Sequence, residues 1–430
     1  MVSTPVAENR QQSRKALIHA AIVISVGVLA TTLAQTSVLP NVPIRNLLKN
    51  RLHVGLAANA AFFFWSGLAW YFKPIVGIVM DAFPVLGTRR RSYLLIGAVL
   101  TAASWIALIF TPREYNALLW VSIIMNVFIV IASTAVGGYM VEVAQAVSGS
   151  GRLTAIRNFV QSVCSIIIGP AGGFLAAIAF GWTCAACGGV MFLLVPATIF
   201  FLHEQRKQSR GSEVLAATKE QLVRIGTAGT MWAAAGLMAL FYVAPGFGTA
   251  IFYKQQNELH LSTQSQGTLI FIGGVCGVLA SVIYGFACRR FKLRTLLPWC
   301  LAFGALANLG YLFYSSWARA RVIDGFNGFG YTLAELVLMD LAVRATPAGS
   351  EGLGFSLMMS VRNFALFGTD WFGSKLIERF HVPFNTLVLS NAATTLITVP
   401  LVFLLPRMLV STKDAEPIKE PPAPRIAPQG

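Results

Sequence analysis

Residues Trp70–Tyr93 read WYFKPIVGIVMDAFPVLGTRRRSY, and this stretch decides the fold that the sequence predicts. It begins inside a long apolar run and ends near three consecutive arginines, Arg89–Arg91. Arginine clusters between apolar runs are typical of cytoplasmic loops, so the stretch predicts a membrane helix that ends on the cytoplasmic side. Lys73 precedes Asp81 by about two helical turns, which places its ammonium well inside the apolar segment.

The composition of the whole chain indicates a multi-pass membrane protein. Of its 430 residues, 56% are hydrophobic and only 12% are charged. Apolar runs of about 20 residues, the length needed to cross a bilayer, recur from end to end. The net charge of +16 does not indicate nucleic-acid binding, because the Lys and Arg residues cluster in the breaks between the apolar runs.

No metal site and no cofactor are predicted from the sequence. All six cysteines fall within or at the ends of apolar segments. Cys184 and Cys187 have the spacing of a metal or redox motif, but they have no His or acidic residue nearby and are better explained as small packing residues. The five histidines lie near predicted helix ends, and no His-Glu-x-x-His motif is present, which argues against an intramembrane enzyme.

Twelve transmembrane helices are predicted, in two halves of six. They are expected at about 17–38, 54–80, 93–111, 117–141, 153–178, 182–202, 230–252, 266–288, 296–314, 321–343, 353–376 and 384–405. The expected division is a cytoplasmic N-tail (1–16), an N-terminal half (17–202), a cytoplasmic central loop (203–229), a C-terminal half (230–406) and a disordered cytoplasmic tail (407–430). Ser212 and Glu213 are positioned to start a short helix in the central loop.

The distribution of basic residues predicts the orientation. Most Lys and Arg residues outside the apolar runs fall on the side that carries both termini, so we expect both termini to be cytoplasmic and the protein to lie in the inner cell membrane. Arg45, Lys49 and Arg51 in the predicted external loop depart from this pattern. We interpret them as a solvated loop face, with attraction of anions to the mouth as the alternative.

An internal repeat supports two parallel halves. The sequence at Ile156–Phe159, Ile-Arg-Asn-Phe, recurs at Val361–Phe364 as Val-Arg-Asn-Phe. Glu142 near the inner end of the fourth predicted helix is matched by Asp340 near the inner end of the tenth. Landmarks in the same order at nearly one offset predict two related six-helix units.

The loop after Asp81 resembles the signature of the major facilitator superfamily. That signature has Gly four residues before Asp, as Gly77 stands here, followed closely by a Gly-Arg-Arg or Gly-Arg-Lys run. The longer loop of this chain, with a Lys-Pro pair from residue 73 before it and Arg-Arg-x-Tyr from residue 90 within its end, is similar to that of the folate–biopterin transporter family. The resemblance implies an all-α membrane fold of twelve helices in two parallel halves, alternating access, and a folate or pterin substrate.

Ionisable residues within membrane helices are candidates for function, because a charge in the bilayer is costly. We expect one group to form a cytoplasmic gate that joins the two halves. This group comprises Asp81, Arg89, Arg90, Arg91, Glu142, Arg157, Asp340 and Arg362. Arg289 occupies the position of the second half that matches Asp81, so the predicted gate is asymmetric. The alternative for this group is static charge at the membrane interface.

A second group is expected to contact the substrate or the coupling ion. It comprises Lys73, Glu335, Asp370, Gln35 and Tyr242. Lys73 is predicted to bind an anion or to act as a gate lysine, or alternatively to pair with Asp81 without a substrate role. Glu335 is predicted to carry the coupling proton, with Asp370 as the alternative carrier and a structurally satisfied buried acid as the alternative for Glu335. Gln35 belongs to a polar stripe on the first helix, and rings such as that of Tyr242 are suited to stacking on a flat heteroaromatic substrate.

The sequence therefore predicts a secondary transporter that moves a small organic solute by alternating access, coupled to protons. An anionic metabolite such as folate or pterin is the expected substrate. The alternatives are a permease of the same superfamily for sugars, peptides or drugs and, far less supported, an intramembrane enzyme. The protein is expected to act as a monomer in the lipid bilayer, with no cofactor and no nucleic-acid partner.

Overall fold

The computed structural model describes residues 5–146, 150–202, 204, 211–347 and 350–411, and the regular structure in that part is helical. The helices are α1 (Pro5–Leu33), α2 (Asn41–Asn46), α3 (Leu56–Ser66), α4 (Leu68–Tyr71), α5 (Lys73–Ala82), α6 (Arg91–Phe110), α7 (Tyr115–Ala146), α8 (Ser150–Ala177), α9 (Phe180–Phe192), α10 (Leu194–Phe201), α11 (Gly211–Thr227), α12 (Gly229–Tyr242), α13 (Gly248–Asn257), α14 (Thr263–Arg290), α15 (Leu293–Leu309), α16 (Trp317–Ala345), α17 (Glu351–Phe380), α18 (Phe384–Leu401) and α19 (Arg407–Val410). A π-helical turn covers Leu47–Arg51, and 3-10 turns cover Gly310–Phe313 and Val402–Leu404.

By length and composition, seven helices or helix pairs among the described residues are suited to crossing a membrane, or up to eight if one strongly bent pair is counted as a span. The remaining predicted spans are shorter, broken or charged. The segment predicted at 54–80 is divided into α3, α4 and α5, with breaks at Gly67 and Phe72. Pro74 lies in the first turn of α5, where its missing N–H leaves no helical hydrogen bond unmade, so the helix restarts there.

The segment predicted at 230–252 is also divided, into α12 and α13. Pro245 and Gly246 lie in the break. Gly246 N donates to the Thr369 carbonyl of α17 at 3.1 Å, and a Cβ at Gly246 would lie 2.6 Å from the backbone nitrogen of Asp370. The break therefore lets the backbone of this segment approach α17 closely, which a continuous helix with larger side chains would prevent.

The described residues form a large hydrophobic core in each part of the chain. The first lies between Ala20 and Leu202 and contains the fully buried Trp105. The second lies between Ile225 and Val410, and a smaller cluster contains Tyr311 and Tyr314. Each part therefore packs its own helices, in addition to the contacts that the two parts make with each other.

Each end of the bundle is identified by an arginine that lies at it. The Arg45 end comprises α2, α13 and the beginning of α16. The Arg90 end comprises the loop between α5 and α6 and the beginning of α6. In that loop Leu86 and Gly87 have positive φ values of 52° and 76°, which turn the chain sharply before α6.

The structure extends helices into both segments that were predicted as tails, and it contains the helix predicted to start at Ser212 and Glu213. Helix α1 begins at Pro5, inside the predicted N-tail (1–16), and α11, which begins at Gly211, fills most of the predicted central loop (203–229). Helix α19 lies in the predicted disordered tail (407–430), and its Leu409 and Val410 are buried. The rest of these segments, residues 1–4, 203, 205–210 and 412–430, lies outside the described residues.

Helices α8 and α14, one from each part of the chain, meet at glycines. A Cβ at Gly267 would lie 2.4 Å from the Gly169 carbonyl oxygen, and a Cβ at Gly169 would lie 2.5 Å from the Gly267 carbonyl oxygen. Both distances are shorter than any real Cβ contact, so only glycine permits this approach. Small residues at such crossings let membrane helices pack backbone to backbone.

We expect Gly267→Val to destabilise the protein, because its side chain would overlap the backbone of α8. Overpacking of this kind costs about 1–3 kcal/mol. The measurement is the thermal unfolding midpoint of the purified protein in detergent. Gly285→Val is the matched control, since it lies on the same helix and a Cβ there meets nothing within 4 Å. Equal midpoints for the two variants would contradict the importance of the close approach.

Candidate substrate and gating sites

Three side chains from three helices meet in the second part of the chain: Glu335 of α16, Arg362 of α17 and Tyr242 of α12. Arg362 Nη2 forms an ion pair with Glu335 Oε1, and each side chain keeps 18% of its surface exposed. The Tyr242 hydroxyl donates to Glu335 Oε2 at 3.2 Å and accepts from Arg362 Nε at 3.2 Å. The structure thus places Arg362, predicted for the cytoplasmic gate, with two residues predicted for substrate or coupling.

Tyr242 and Arg362 also line a mostly apolar cavity between α12 and α17. Its volume is about 180 Å³, and Met231, Met358 and Val361 are among its other walls. Pockets that hold drug-sized ligands measure about 300–1,000 Å³. In this conformation the cavity has room for a small group beside the ion pair but not for a whole large ligand.

Lys73 of α5 and Arg157 of α8 have no carboxylate within ion-pair distance among the described residues. Both side chains are half-buried. Lys73 Nζ donates to Ser133 Oγ at 3.0 Å and lies 5.0 Å from the centre of the Trp70 ring. Arg157 is close enough to repel the Lys73 charge. The first part of the chain therefore holds two interior cations that have no carboxylate partner among the described residues.

Polar side chains extend from Trp70 toward the first helix. Trp70 Nε1 donates to Asn126 Oδ1 at 3.0 Å, and Asn126 Nδ2 donates to Thr36 Oγ1 at 3.3 Å. Gln35, a predicted substrate residue, instead donates from Nε2 to the Thr31 carbonyl at 2.8 Å. Asn126 had no distinguishing signal in the sequence, because an isolated Asn in an apolar run indicates neither its partner nor the face it occupies.

Three predicted gate residues form a cluster at the Arg90 end. Arg90 Nη2 lies 2.6 Å from Asp81 Oδ1, and Arg90 Nε lies 3.0 Å from Glu142 Oε1. The alternative in which Lys73 forms an ion pair with Asp81 is therefore not found. A Cβ at Gly138 would lie 2.4 Å from Arg90 Cζ, so glycine on α7 makes the space that the guanidinium occupies.

Glu204 binds the backbone at the beginning of α6, a role that the sequence did not reveal. Its carboxylate accepts backbone N–H groups from Arg89 (2.7 Å), Arg90 (3.0 Å) and Arg91 (2.8 Å). A carboxylate at a helix N-terminus satisfies orphan donors and opposes the positive end of the helix dipole. Arg89 and Arg91 thus contribute backbone groups to this end, and Arg91 Nη2 also donates to the Ile199 carbonyl at 3.4 Å.

Asp340, the remaining predicted gate residue, binds an arginine of its own helix. Arg344 Nε and Nη2 donate to the two Asp340 oxygens at 2.8 and 3.2 Å, and the Tyr284 hydroxyl donates to Asp340 Oδ2 at 3.0 Å. Glu142 and Asp340 occupy matching positions of the repeat, and each binds an arginine from its own part of the chain. The predicted gate residues are thus found as separate groups in this conformation.

Arg45 joins the two parts of the chain at the opposite end. Its Nη1 donates to Thr249 Oγ1 at 2.5 Å, and its Nη2 lies 3.8 Å from Asp370 Oδ2. Asp370 in turn accepts from the Thr249 backbone nitrogen at 2.9 Å, and the guanidinium lies 4.4 Å from the centre of the Phe63 ring. Arg45 is 8% exposed, so its interpretation as a solvated loop residue was wrong, and Asp370 lies with Arg45 rather than with Glu335. The only sequence signal was its basic charge on the unexpected side.

Further bonds join the two parts at the Arg45 end. Lys49 Nζ donates to Gln256 Oε1 at 2.9 Å and to Asn257 Oδ1 at 2.6 Å. The Tyr253 hydroxyl donates to the Val54 carbonyl at 2.6 Å. Most of the polar side-chain bonds that the structure describes between the two parts lie here, so these bonds hold the Arg45 end closed.

Comparison with known proteins gives a family and a fold. Residues 35–422 match the model of the BT1 family. A folate-biopterin transporter of Synechocystis sp. is 24% identical over 399 residues, which cover 85% of this chain and 78% of the relative. Folate transporter 1 of Plasmodium falciparum is 21% identical over 405 residues, which cover 88% of this chain and 78% of the relative.

Solved structures share the fold at low sequence identity. A D-xylose–proton symporter superposes with a TM-score of 0.71 at 15% identity, covering 90% of this chain and 98% of the symporter. A mutant form of a nucleoside transporter superposes with a TM-score of 0.62 at 12% identity, covering 91% of this chain and 99% of that protein. The predicted all-α major facilitator fold is thereby confirmed.

We expect Glu204→Ala to lower the thermal unfolding midpoint of the purified protein, because three backbone donors of α6 would lose their acceptor. Loss of a helix cap costs about 1–2 kcal/mol. Glu220→Ala is the control, since Glu220 is exposed and pairs with Arg224 one turn away, and such surface pairs contribute little. A Glu204→Ala midpoint equal to that of the control would contradict a capping role.

Proposed function

The chain belongs to the BT1 family and is a multi-pass membrane transporter of a small organic solute, and we propose that this solute is an organic anion of the folate or pterin class. The observation that carries the proposal is the pair of interior cations, Lys73 and Arg157, without a carboxylate partner among the described residues. The names of the two relatives, a folate-biopterin transporter and a folate transporter, support the same substrate class.

Electrostatics favours the binding of an anion at Lys73 and Arg157. An unpaired charge within the bilayer is costly, and two like charges beside each other add mutual repulsion. A carboxylate group of the solute would relieve both, because it is attracted by each cation and accepts hydrogen bonds from each. The Trp70 ring beside Lys73 offers a flat surface on which a heteroaromatic ring can stack.

The same solute can draw on a third cation if Glu335 is protonated. In the present arrangement Glu335 neutralises Arg362. A proton on Glu335 would remove that ion pair and leave the guanidinium to attract the solute, so proton and anion would bind together. This coupling accounts for a symport of proton and anion with Glu335 as the proton carrier and Tyr242 as the hydroxyl that positions both side chains.

Alternating access then assigns roles to the two ends. We place the Arg45 end outside and the Arg90 end inside, with both termini cytoplasmic and a monomer in the inner cell membrane. The present conformation is closed outside by Arg45, Thr249 and Asp370. In the opposite conformation Asp81 and Arg90 would contact the second half and close the inner end. Asp340 and Arg344 of the second half would contribute to these contacts.

Uptake into proteoliposomes tests the substrate class. We expect the purified protein to accumulate labelled folate or pterin in response to an inward proton gradient, and not a neutral sugar of similar size. Lys73→Gln should raise the apparent KM about tenfold, the effect of losing one charge-assisted hydrogen bond. Lys73→Arg should be only partly tolerated, because the planar fork needs more room.

Lys219→Gln is the matched control, since Lys219 is exposed on α11 and the change in net charge is the same. It should transport with an unchanged KM. Transport of the sugar but of no anion, or an unchanged KM for Lys73→Gln, would contradict an anion site at Lys73.

Glu335→Gln tests the coupling role separately. Gln imitates the protonated carboxyl, so the variant should lose uphill uptake driven by a proton gradient and retain exchange of labelled for unlabelled solute, which needs no net proton movement. Glu114→Gln, a change at an exposed carboxylate, should retain both activities. Gradient-driven accumulation by Glu335→Gln with the wild-type pH dependence would transfer the role to another group.

A further inference from the structure

A glutamate of the second half binds the beginning of a helix of the first half, at the Arg45 end. Glu378 lies in the last turn of α17, and its Oε2 accepts the Ala57 backbone N–H of α3 at 2.5 Å. Glu378 had no distinguishing signal in the sequence, because it lies just beyond the predicted end of a membrane helix, where charged residues are common. Its partner is a backbone group, which sequence patterns do not reveal.

The Glu378 carboxylate occupies the position of a helix-capping group. The first N–H groups of any helix have no acceptor within that helix, and an N-cap side chain accepts the N–H of the second or third helical residue. The N-cap residue of α3 is Gly55, which has no side chain, and Ala57 is the second residue of α3. Glu378 therefore supplies, from the other half of the protein, the acceptor that Gly55 lacks.

Glycine at position 55 makes room for this carboxylate. The backbone of Gly55 has φ −64° and ψ 169°, a conformation that any residue adopts, so its local geometry does not require glycine. A Cβ at this position would lie 2.3 Å from Glu378 Oε1 and 3.1 Å from Glu378 Cδ. The first of these distances is shorter than any real Cβ contact, so a side chain at position 55 would displace the cap.

The dipoles of the two helices favour the carboxylate only while the halves are in contact. A negative charge is unfavourable in the last turn of a helix and favourable at the N-terminus of one. Glu378 is thus opposed by its own helix, α17, and stabilised by α3. Separation of the halves at this end removes the favourable helix and leaves the unfavourable one, because Glu378 stays on α17.

A second group of the same half binds the backbone just before α3. The Tyr253 hydroxyl of α13 donates to the Val54 carbonyl at 2.6 Å. Residues 54–57 of the first half therefore both accept and donate a backbone hydrogen bond to the second half. The closing contact at this place is made to the backbone, in addition to the side-chain contacts of Arg45.

We propose that Glu378 is a gating residue that caps α3 only in the closed conformation and thereby favours closure of the Arg45 end. The proposal rests on alternating access, as proposed above, but not on the identity of the solute or the coupling ion. When this end opens, the N–H groups of α3 are left to water and the carboxylate remains at the unfavourable end of α17. Gly55 contributes to closure by leaving space for the carboxylate.

A double-mutant cycle tests the proposal without any solute. Spin labels are attached to Glu114→Cys, in the turn after α6, and to Arg319→Cys, in the first turn of α16, with the six native cysteines replaced. Both positions are exposed and lie at the ends of their helices that are remote from the Arg90 end. Pulsed electron resonance then measures the populations of short and long distances between the two halves.

Glu378→Ala should raise the ratio of open to closed protein about fivefold, the effect of losing one helix cap. Glu378 is exposed, so the change leaves no cavity in the core. Gly55→Ala should also raise the ratio, because its methyl group displaces the carboxylate. The double variant should match Glu378→Ala alone, since both changes remove the same contact and their effects are therefore not additive.

Two matched variants serve as controls. Glu258→Ala removes an exposed carboxylate of the same end, which pairs with Lys254 of its own segment. Gly229→Ala adds a methyl group where a Cβ meets nothing within 4 Å. Both should leave the ratio unchanged. The cycle is repeated in Arg45→Gln protein, in which the loss of another closing contact brings both populations into the measurable range.

An unchanged ratio in Glu378→Ala would overturn the proposal, and so would independent effects of Glu378→Ala and Gly55→Ala that multiply in the double variant. A lower thermal unfolding midpoint with unchanged distances would show a cap that is only structural, which also contradicts a gating role. Failure of the protein to accumulate folate or pterin would contradict the proposed solute but not this cycle, which is measured in its absence.

Discussion

A charge inside a bilayer must find a partner, and most of the polar architecture of this protein follows from that constraint. Arg362 forms an ion pair with Glu335, Arg90 forms ion pairs with Asp81 and Glu142, and buried Arg45 forms one with Asp370. The interior cations of the first half depart from the rule within the described residues, and this departure is what directs the proposed solute to them. A protein that carries an anion needs cations that its own carboxylates leave available.

The two halves share a repeated sequence motif but differ in the charged side chains near its arginine. Arg157 and Arg362 occupy the same place in the repeated four-residue motif, yet Arg157 has Lys73 beside it whereas Arg362 has Glu335. In the proposed mechanism one half holds the anion and the other binds the proton. A shared backbone arrangement with different side chains would let the two ligands of that mechanism act on one conformational change.

The two halves contact each other through close glycine contacts and, at the Arg45 end, through directional polar bonds. Gly169 and Gly267 let α8 and α14 touch backbone to backbone, a contact that tolerates sliding because it holds no interlocking side chains. The bonds of Arg45 and Lys49 at one end are directional and are made or lost as a group. Such a combination is compatible with two discrete arrangements of the halves, as alternating access requires.

The sequence by itself determined the all-helical membrane fold, the family and the neighbourhood of Asp81 and Arg90, because long apolar runs and a signature loop are local patterns. It also selected Glu335 and Tyr242 as candidates, since an acid or an aromatic hydroxyl deep in a span is unusual, and the structure places the two in contact. Only the tertiary structure decided that Arg362 belongs with Glu335, that Asp370 belongs with Arg45, and that Glu378 binds the beginning of α3 in the other half. Helical periodicity is too weak in these nearly uniformly apolar segments to fix which face meets which neighbour, and the partners lie far apart along the chain. Their pairing depends on how the helices pack.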